Sequence, residues 1–126
     1  MTLPYGAVVL EHFRRPRNQR TLEHPTAAHE AFNPLCGDRV RIELDLNNDA
    51  IRAAAFTANA CAICTASASL LTDRLTGMTT PEARAIADAE VVDALETRVP
   101  PAREACAKLP LVALREALRN VPGARA

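Results

Sequence analysis

Five residues carry most of the chemistry this sequence offers: Cys36, Asp38, Cys61, Cys64 and Cys106. In Asn33-Pro34-Leu35-Cys36-Gly37-Asp38, a Pro-flanked turn with Gly between thiol and carboxylate leaves both side chains free to converge on one point. A thiolate and a carboxylate two residues apart make half a site for a borderline metal such as zinc or iron. The same residues also read as a surface turn with a packed cysteine and an Asp that caps a strand, because free cysteine often behaves as a small hydrophobe.

Cys61-Ala62-Ile63-Cys64 falls where a strand pattern gives way to a helical one. Unpaired N–H groups and the positive dipole end at a helix start lower a thiol's pKa, which favours Cys61 as nucleophile or ligand. The pair also fits a dithiol redox motif, but that reading wants a βαβ context and the strands here read as a hairpin. Cys64, one turn further in, reads as a helix-packing residue. In Arg103-Glu104-Ala105-Cys106, again near a helix start, the guanidinium is placed to stabilise a thiolate one turn later, although Arg103 also reads as a solvated surface residue. Together Cys36, Asp38, Cys61 and Cys106 form a Cys3Asp set of the kind a tetrahedral zinc or an iron–sulfur cluster needs. His12, His24 and His29 have no partner at ligand spacing and read as packed or solvent-facing, with His24 and His29 able to reach the site from a loop.

These groups need elements to position them. Residues 3–14 suit a first helix, with Pro4 in its first turn and Val8, Val9, His12 and Phe13 near one face. Residues 15–26 break the period. From Asp38 to Leu46, Val40, Ile42, Leu44 and Leu46 alternate with Arg39, Arg41, Glu43 and Asp45, which predicts a strand with one apolar and one charged face. Asn47-Asn48-Asp49 is turn chemistry, Ile51–Thr57 the return strand, and Ala27–Phe32 a third strand. Helices are expected over Cys61–Thr76 with Gly77 as stop, over 81–88 after a Thr79-Thr80-Pro81-Glu82 start, around 90–97, and from about Ala102 to Asn120 with Pro110 kinking or restarting the last. Pro100-Pro101 predicts an extended joint. The plan is α+β, a small antiparallel three-stranded sheet packed against several helices.

The 126 residues suit one domain, 1–126. The chain is 48% hydrophobic, which supports a modest core, and its four aromatic residues leave that core aliphatic. Twenty-five alanines favour close-packed helices. Zero formal net charge argues against nucleic-acid binding, where a basic excess supplies the non-specific affinity. No apolar run suits a membrane span, and the N-terminus lacks the basic n-region of a signal peptide, so a cytoplasmic location with reduced thiols is expected.

EHFRRPRN at 11–18, NPLCGD at 33–38, CAIC followed by ASASLLT at 61–72, and R-x-x-C at 103–106 resemble, in order and across most of the chain, the IscU/SufU/NifU N-terminal type of iron–sulfur cluster assembly scaffold. The resemblance implies a SufE/NifU-like α+β fold and carries the family's ligands onto Cys36, Asp38, Cys61 and Cys106. It implies a scaffold or sulfur acceptor rather than a conventional enzyme: sulfur from a cysteine desulfurase arrives on Cys106, with Cys61 as second choice and Arg103 offsetting the charge. The cargo is a transient [2Fe–2S] cluster or Zn2+, passed to recipient apo-iron–sulfur proteins. The alternative is a zinc-dependent sulfurtransferase component that builds no cluster.

The chain also departs from the family pattern. Ala58-Asn59-Ala60 replaces the usual Gly-x-Gly, which would strain a turn needing positive φ. Cys64 stands where Ser is usual. Ala105 replaces the histidine of the IscU branch. Arg103 matches the SufU branch, but the stretch from Cys61 to Cys106 leaves no room for that branch's insertion. Val99-Pro100-Pro101-Ala102-Arg103 keeps the prolines and charge of the segment that an Hsp70-type chaperone recognises.

Overall fold

The alternating segment becomes the central strand of a sheet. In the computed structural model, which describes residues 5–119 and 121, three antiparallel strands lie in the order β1 (Ala27–Phe32), β2 (Arg39–Asn47) and β3 (Ala50–Asn59). Register runs from Ala27↔Leu44 to Phe32↔Arg39 on one side of β2 and from Arg39↔Asn59 to Asn47↔Ala50 on the other, with a shift at Asp45/Leu46. Asn48 takes φ 57 in the hairpin turn, a left-handed conformation that Asn tolerates better than most residues. Val40, Ile42 and Leu44 are fully buried beside Ile51, Ala54 and Phe56 of β3.

Helix α2 (Ala62–Leu75) packs on β3 and β2, α5 (Glu104–Leu118) on β1 and β2, and the two helices touch each other. Helix α1 (Ala7–Arg14) lies on α2. Ile63 through Ser69 are all buried, so this stretch of α2 is enclosed on every side. Its two serine hydroxyls are hydrogen-bonded: Ser67 Oγ donates to the Ala107 carbonyl at 2.6 Å, and Ser69 Oγ accepts the Arg17 N–H at 2.8 Å and lies 2.7 Å from His12 Nδ1. Gly77, at φ 95, ends the helix in a conformation that a Cβ would strain.

The short helices differ in extent from the sequence expectation. Helix α1 starts at Ala7, and Pro4 lies outside the described residues. Thr79 starts α3 (Thr80–Arg84) with the expected capping box, but α3 ends well before residue 88. Ala87 turns extended, and its N–H is taken by the Glu90 carboxylate at 2.8 Å, so α4 (Asp88–Asp93) begins earlier than expected. Pro110 sits inside an unbroken α5, and Pro101 opens a 3-10 turn, Pro101–Arg103, leading into it.

The sheet's outer face also departs from a simple charged surface. Glu43 is buried, its carboxylate held by Arg41 Nε at 2.9 Å and the Leu22 N–H at 2.7 Å. That N–H belongs to the irregular connection after α1, which also shields the edge of β3: Phe56 N donates to Asn18 O at 2.9 Å and Arg20 N to Phe56 O at 3.0 Å. Ala58 and Asn59 continue β3 in extended form, and Ala60 lacks positive φ, so alanine brings no strain there.

Candidate metal centre

The turn between β1 and β2 is built by Asn33. Its N–H donates to Asp38 O at 2.9 Å, its carbonyl accepts the Gly37 N–H at 2.8 Å, and its side-chain Oδ1 accepts the Leu35 N–H at 3.0 Å. Gly37 closes the loop at φ 79, which disfavours any residue with a Cβ. The turn thus presents Cys36 outward to solvent while Asp38 points into the protein, 6% exposed. In the sequence Asn33 stands out only as the first residue of the Pro-flanked turn; its Asx side chain is the signal for the hydrogen bonds that build it.

Where β3 ends, Cys61 becomes the N-cap of α2, at φ −68 and ψ 171. Its backbone N–H donates to Asp38 Oδ2 at 3.4 Å, tying the helix start to the turn. The helix N-terminus was expected to lower the Cys61 pKa. The N–H groups of Cys64 and Ile63 do act in that direction, but burial and the neighbouring Asp38 carboxylate outweigh them, and the thiol is pushed up. Cys64, fully buried, is driven up further, by burial first and then by the charge of Asp38 and the other thiols.

Cys106 lies in the first turn of α5, fully buried between exposed Ala105 and buried Ala107. Its Sγ stands 3.4 Å from Cys36 Sγ. Burial first, then the contact with Cys36 and the nearby Cys61 and Asp38, pushes its pKa up to about 12. Attraction to the nearby Cys106 thiol, then to Cys61, raises the pKa of the Arg103 guanidinium.

One Sγ of Cys36, one carboxylate oxygen of Asp38 and the Sγ of Cys106 all lie within 4.8 Å of one another. Two soft sulfur donors and one hard oxygen in this space could hold a metal ion. The donor set fits a cation on its own chemistry: the buried Cys106 thiol, which resists ionisation without a positive charge, becomes a ligand once a metal supplies it. Cys61 stands outside this close set, with its thiol beside the Asp38 carboxylate. None of the three histidines joins the set: His12 packs against Ser69, while His24 and His29 are exposed. Among the described residues, no helix is long and apolar enough to cross a membrane.

The family model for the NifU-like N terminal domain matches residues 4–126. A bifunctional NifU/MnmA protein of Rubrobacter xylanophilus is 34% identical over 92% of this chain, which spans only 24% of that relative's length. The iron–sulfur cluster assembly scaffold protein IscU of Streptococcus pyogenes is 33% identical over 96% of this chain and 86% of its own. The zinc-dependent sulfurtransferase SufU of Bacillus subtilis is 36% identical over 58% of this chain and 49% of its own. In fold, the chain is similar to a SUF-system scaffold candidate from Fervidobacterium islandicum, with a TM-score of 0.77, 22% identity, and coverage of 90% of this chain and 96% of that one. The match of model, motif order and sheet-and-helix plan places the chain in the NifU-like N-terminal domain family.

Proposed function

We propose that this chain is a sulfur-accepting scaffold on which an iron–sulfur cluster is assembled and then given away. The carrying observation is the convergence of Cys36, Asp38 and Cys106 within 4.8 Å, beside the start of α2 that brings Cys61. In this reading Cys36, Asp38, Cys61 and Cys106 hold the nascent [2Fe–2S] cargo. The carboxylate among thiolates makes one weaker, exchangeable position, which suits a site that must release what it holds. Sulfur comes from a cysteine desulfurase to Cys106, and Arg103 offsets the charge of the persulfide. Supporting a docked donor, Leu35 beside Cys36 is 93% exposed, and Phe32 and Val112 extend an apolar surface nearby. Val99-Pro100-Pro101-Ala102-Arg103 serves an Hsp70-type chaperone, and apo-iron–sulfur proteins receive the product.

The deciding experiment is anaerobic incubation with ferrous iron, cysteine and a cysteine desulfurase, followed by a visible spectrum and metal and sulfide analysis. Iron with acid-labile sulfide in the chain, lost in Cys36→Ser, is the expected result. Zinc at one per chain with no cluster would favour the second reading, a zinc-dependent sulfurtransferase component. The proximity of Arg103 to Cys106 and the presence of Ala105 in place of a histidine support that reading.

A further inference from the structure

The five candidate donors divide into two groups. Cys36, Asp38 and Cys106 form the close metal set, and Cys61 and Cys64 lie three residues apart at the start of α2, outside that close set. We infer that Cys61 and Cys64 act as an internal dithiol that reduces bound sulfane sulfur to sulfide beside the metal. This rests on the sulfur-acceptor reading above and extends it: persulfide sulfur is at the oxidation level of elemental sulfur, whereas a cluster is built from sulfide, so two electrons per sulfur must come from somewhere.

The geometry supplies a source. Cys61 is the N-cap and Cys64 the third helical residue, and the Cys61 side chain makes no capping hydrogen bond that would hold it away from Cys64. Side chains three apart at a helix start sit about 5–6 Å apart at Cβ, and rotation of the extended N-cap residue brings them to the roughly 3.5–4.5 Å that a disulfide spans. Cys64 is fully buried and lies in the same core cluster as Cys106, with Cys61 packed against it. An attacking thiol held this close gains effective concentration that compensates for its burial.

The chemistry has two steps. The Cys61 thiolate takes the outer sulfur of the Cys106 persulfide, leaving Cys106 as thiolate and Cys61 as persulfide, with no net oxidation. The Cys64 thiol, giving up its proton, then attacks Cys61 Sγ. The bond between Cys61 Sγ and the outer sulfur breaks, a Cys61–Cys64 disulfide forms, and the outer sulfur leaves as hydrosulfide. The two cysteines are oxidised by the two electrons that the sulfane sulfur gains. A dithiol reductant of the thioredoxin class resets the pair. Once the pair is reset, Cys61 is again free to join Cys36, Asp38 and Cys106 around the metal.

The test uses the full chain, reduced and metal-free, with inorganic polysulfide as the sulfur probe and excess probe removed before measurement. Sulfide release without added thiol is timed, and disulfides and persulfides are mapped by mass spectrometry, in the wild type, Cys64→Ser and Cys64→Ala. The expected result is about one sulfide per bound sulfur, with a Cys61–Cys64 disulfide, in the wild type. Both variants should retain the persulfide and release sulfide at least roughly tenfold more slowly. Equal release in the variants, a disulfide mapped to Cys36–Cys106 or Cys64–Cys106, or no reaction in the wild type would each overturn the inference. Because polysulfide bypasses the desulfurase, a chain that no desulfurase can load would strike the proposed function alone.

Discussion

The Sγ atoms of Cys36 and Cys106 stand 3.4 Å apart across 70 residues of sequence. One is exposed at the tip of a turn and the other is fully buried at the start of α5. Their contact joins the first and last elements of the site, so a metal held between them also ties the β1–β2 turn to the helix layer.

Zinc binding should therefore depend most on this pair. Losing a group that merely orients a ligand costs roughly 10–100-fold in affinity, and loss of Cys36 or Cys106 to serine should exceed that. Cys61→Ser should weaken binding less than either, because its thiol lies outside the close set. Cys64→Ser should leave affinity unchanged. Competition against a chromophoric chelator measures all four. An affinity loss led by Cys64→Ser would make the Cys61–Cys64 pair the true half-site.

Asp38 has two roles that different substitutions separate. Asp38→Asn keeps an oxygen to accept the Cys61 N–H, so the start of α2 should survive while the charged donor is lost. Asp38→Ala removes both. Metal release to a chelator should change in both variants, whereas thermal stability should drop mainly in Asp38→Ala, by about 1–3 kcal/mol for the orphaned N–H. Identical release rates in wild type and Asp38→Asn would reduce Asp38 to a structural cap.

Gly37→Ala should destabilise the chain by about 1 kcal/mol, because the cost lies in the left-handed φ of 79 and no neighbouring atom crowds the added carbon. Cys36 and Asp38 flank this residue, so metal affinity should fall with it. Chemical denaturation and chelator competition on the same sample check both effects.

Alternation in Arg39–Asn47 and the turn residues that flank it made the sheet legible, because period two is a strong local signal. Cys36, Asp38 and Cys106 were picked out for a different reason: each also reads as an ordinary packed or capping residue alone, and only their combination pointed to a donor set. What was hidden depended on tertiary contact. Glu43 sits on the charged side of its strand, and nothing local shows that Leu22 and Arg41 will bury it. Likewise, the dipole argument for Cys61 was sound locally but lost to burial and to Asp38, a residue 23 positions away. The early end of α3 followed from Glu90 capping Ala87, a choice between two overlapping acidic helix starts.

Glu43 should make stability depend on acid. Burial raises its pKa, but the hydrogen bonds from Arg41 and the Leu22 N–H outweigh this and hold it below the usual value of 4.5. A carboxylate with a depressed folded pKa binds fewer protons folded than unfolded. Its stabilisation is thus complete above the unfolded pKa and is lost as pH falls through the folded one. Glu43→Gln should lower stability at pH 7 by about 1–3 kcal/mol and flatten the decline below pH 4.5. Urea midpoints across the acid range measure it, and parallel curves for both proteins would remove Glu43 as a contributor.

Sulfur from a desulfurase should come to rest on Cys106. The thiol is buried, but it follows Pro100 and the 3-10 turn Pro101–Arg103, with exposed Glu104 and Ala105 immediately before it. No strand pairing holds that segment, whereas Cys36 is pinned by the Asn33 turn and Cys61 by β3 and α2. Arg103 lies one turn before Cys106 and can offset the charge of a persulfide. Incubation with desulfurase and cysteine, followed by peptide mass mapping, should show a gain of one sulfur on the Cys106 peptide in Cys61→Ser, where the sulfur cannot move on from Cys106. Arg103→Ala should lower the yield without moving the position. In this background Cys106→Ser should abolish the stable adduct. Full-yield persulfide on Cys36, the exposed partner 3.4 Å away, would instead make the turn the landing site and leave Cys106 as a metal ligand only.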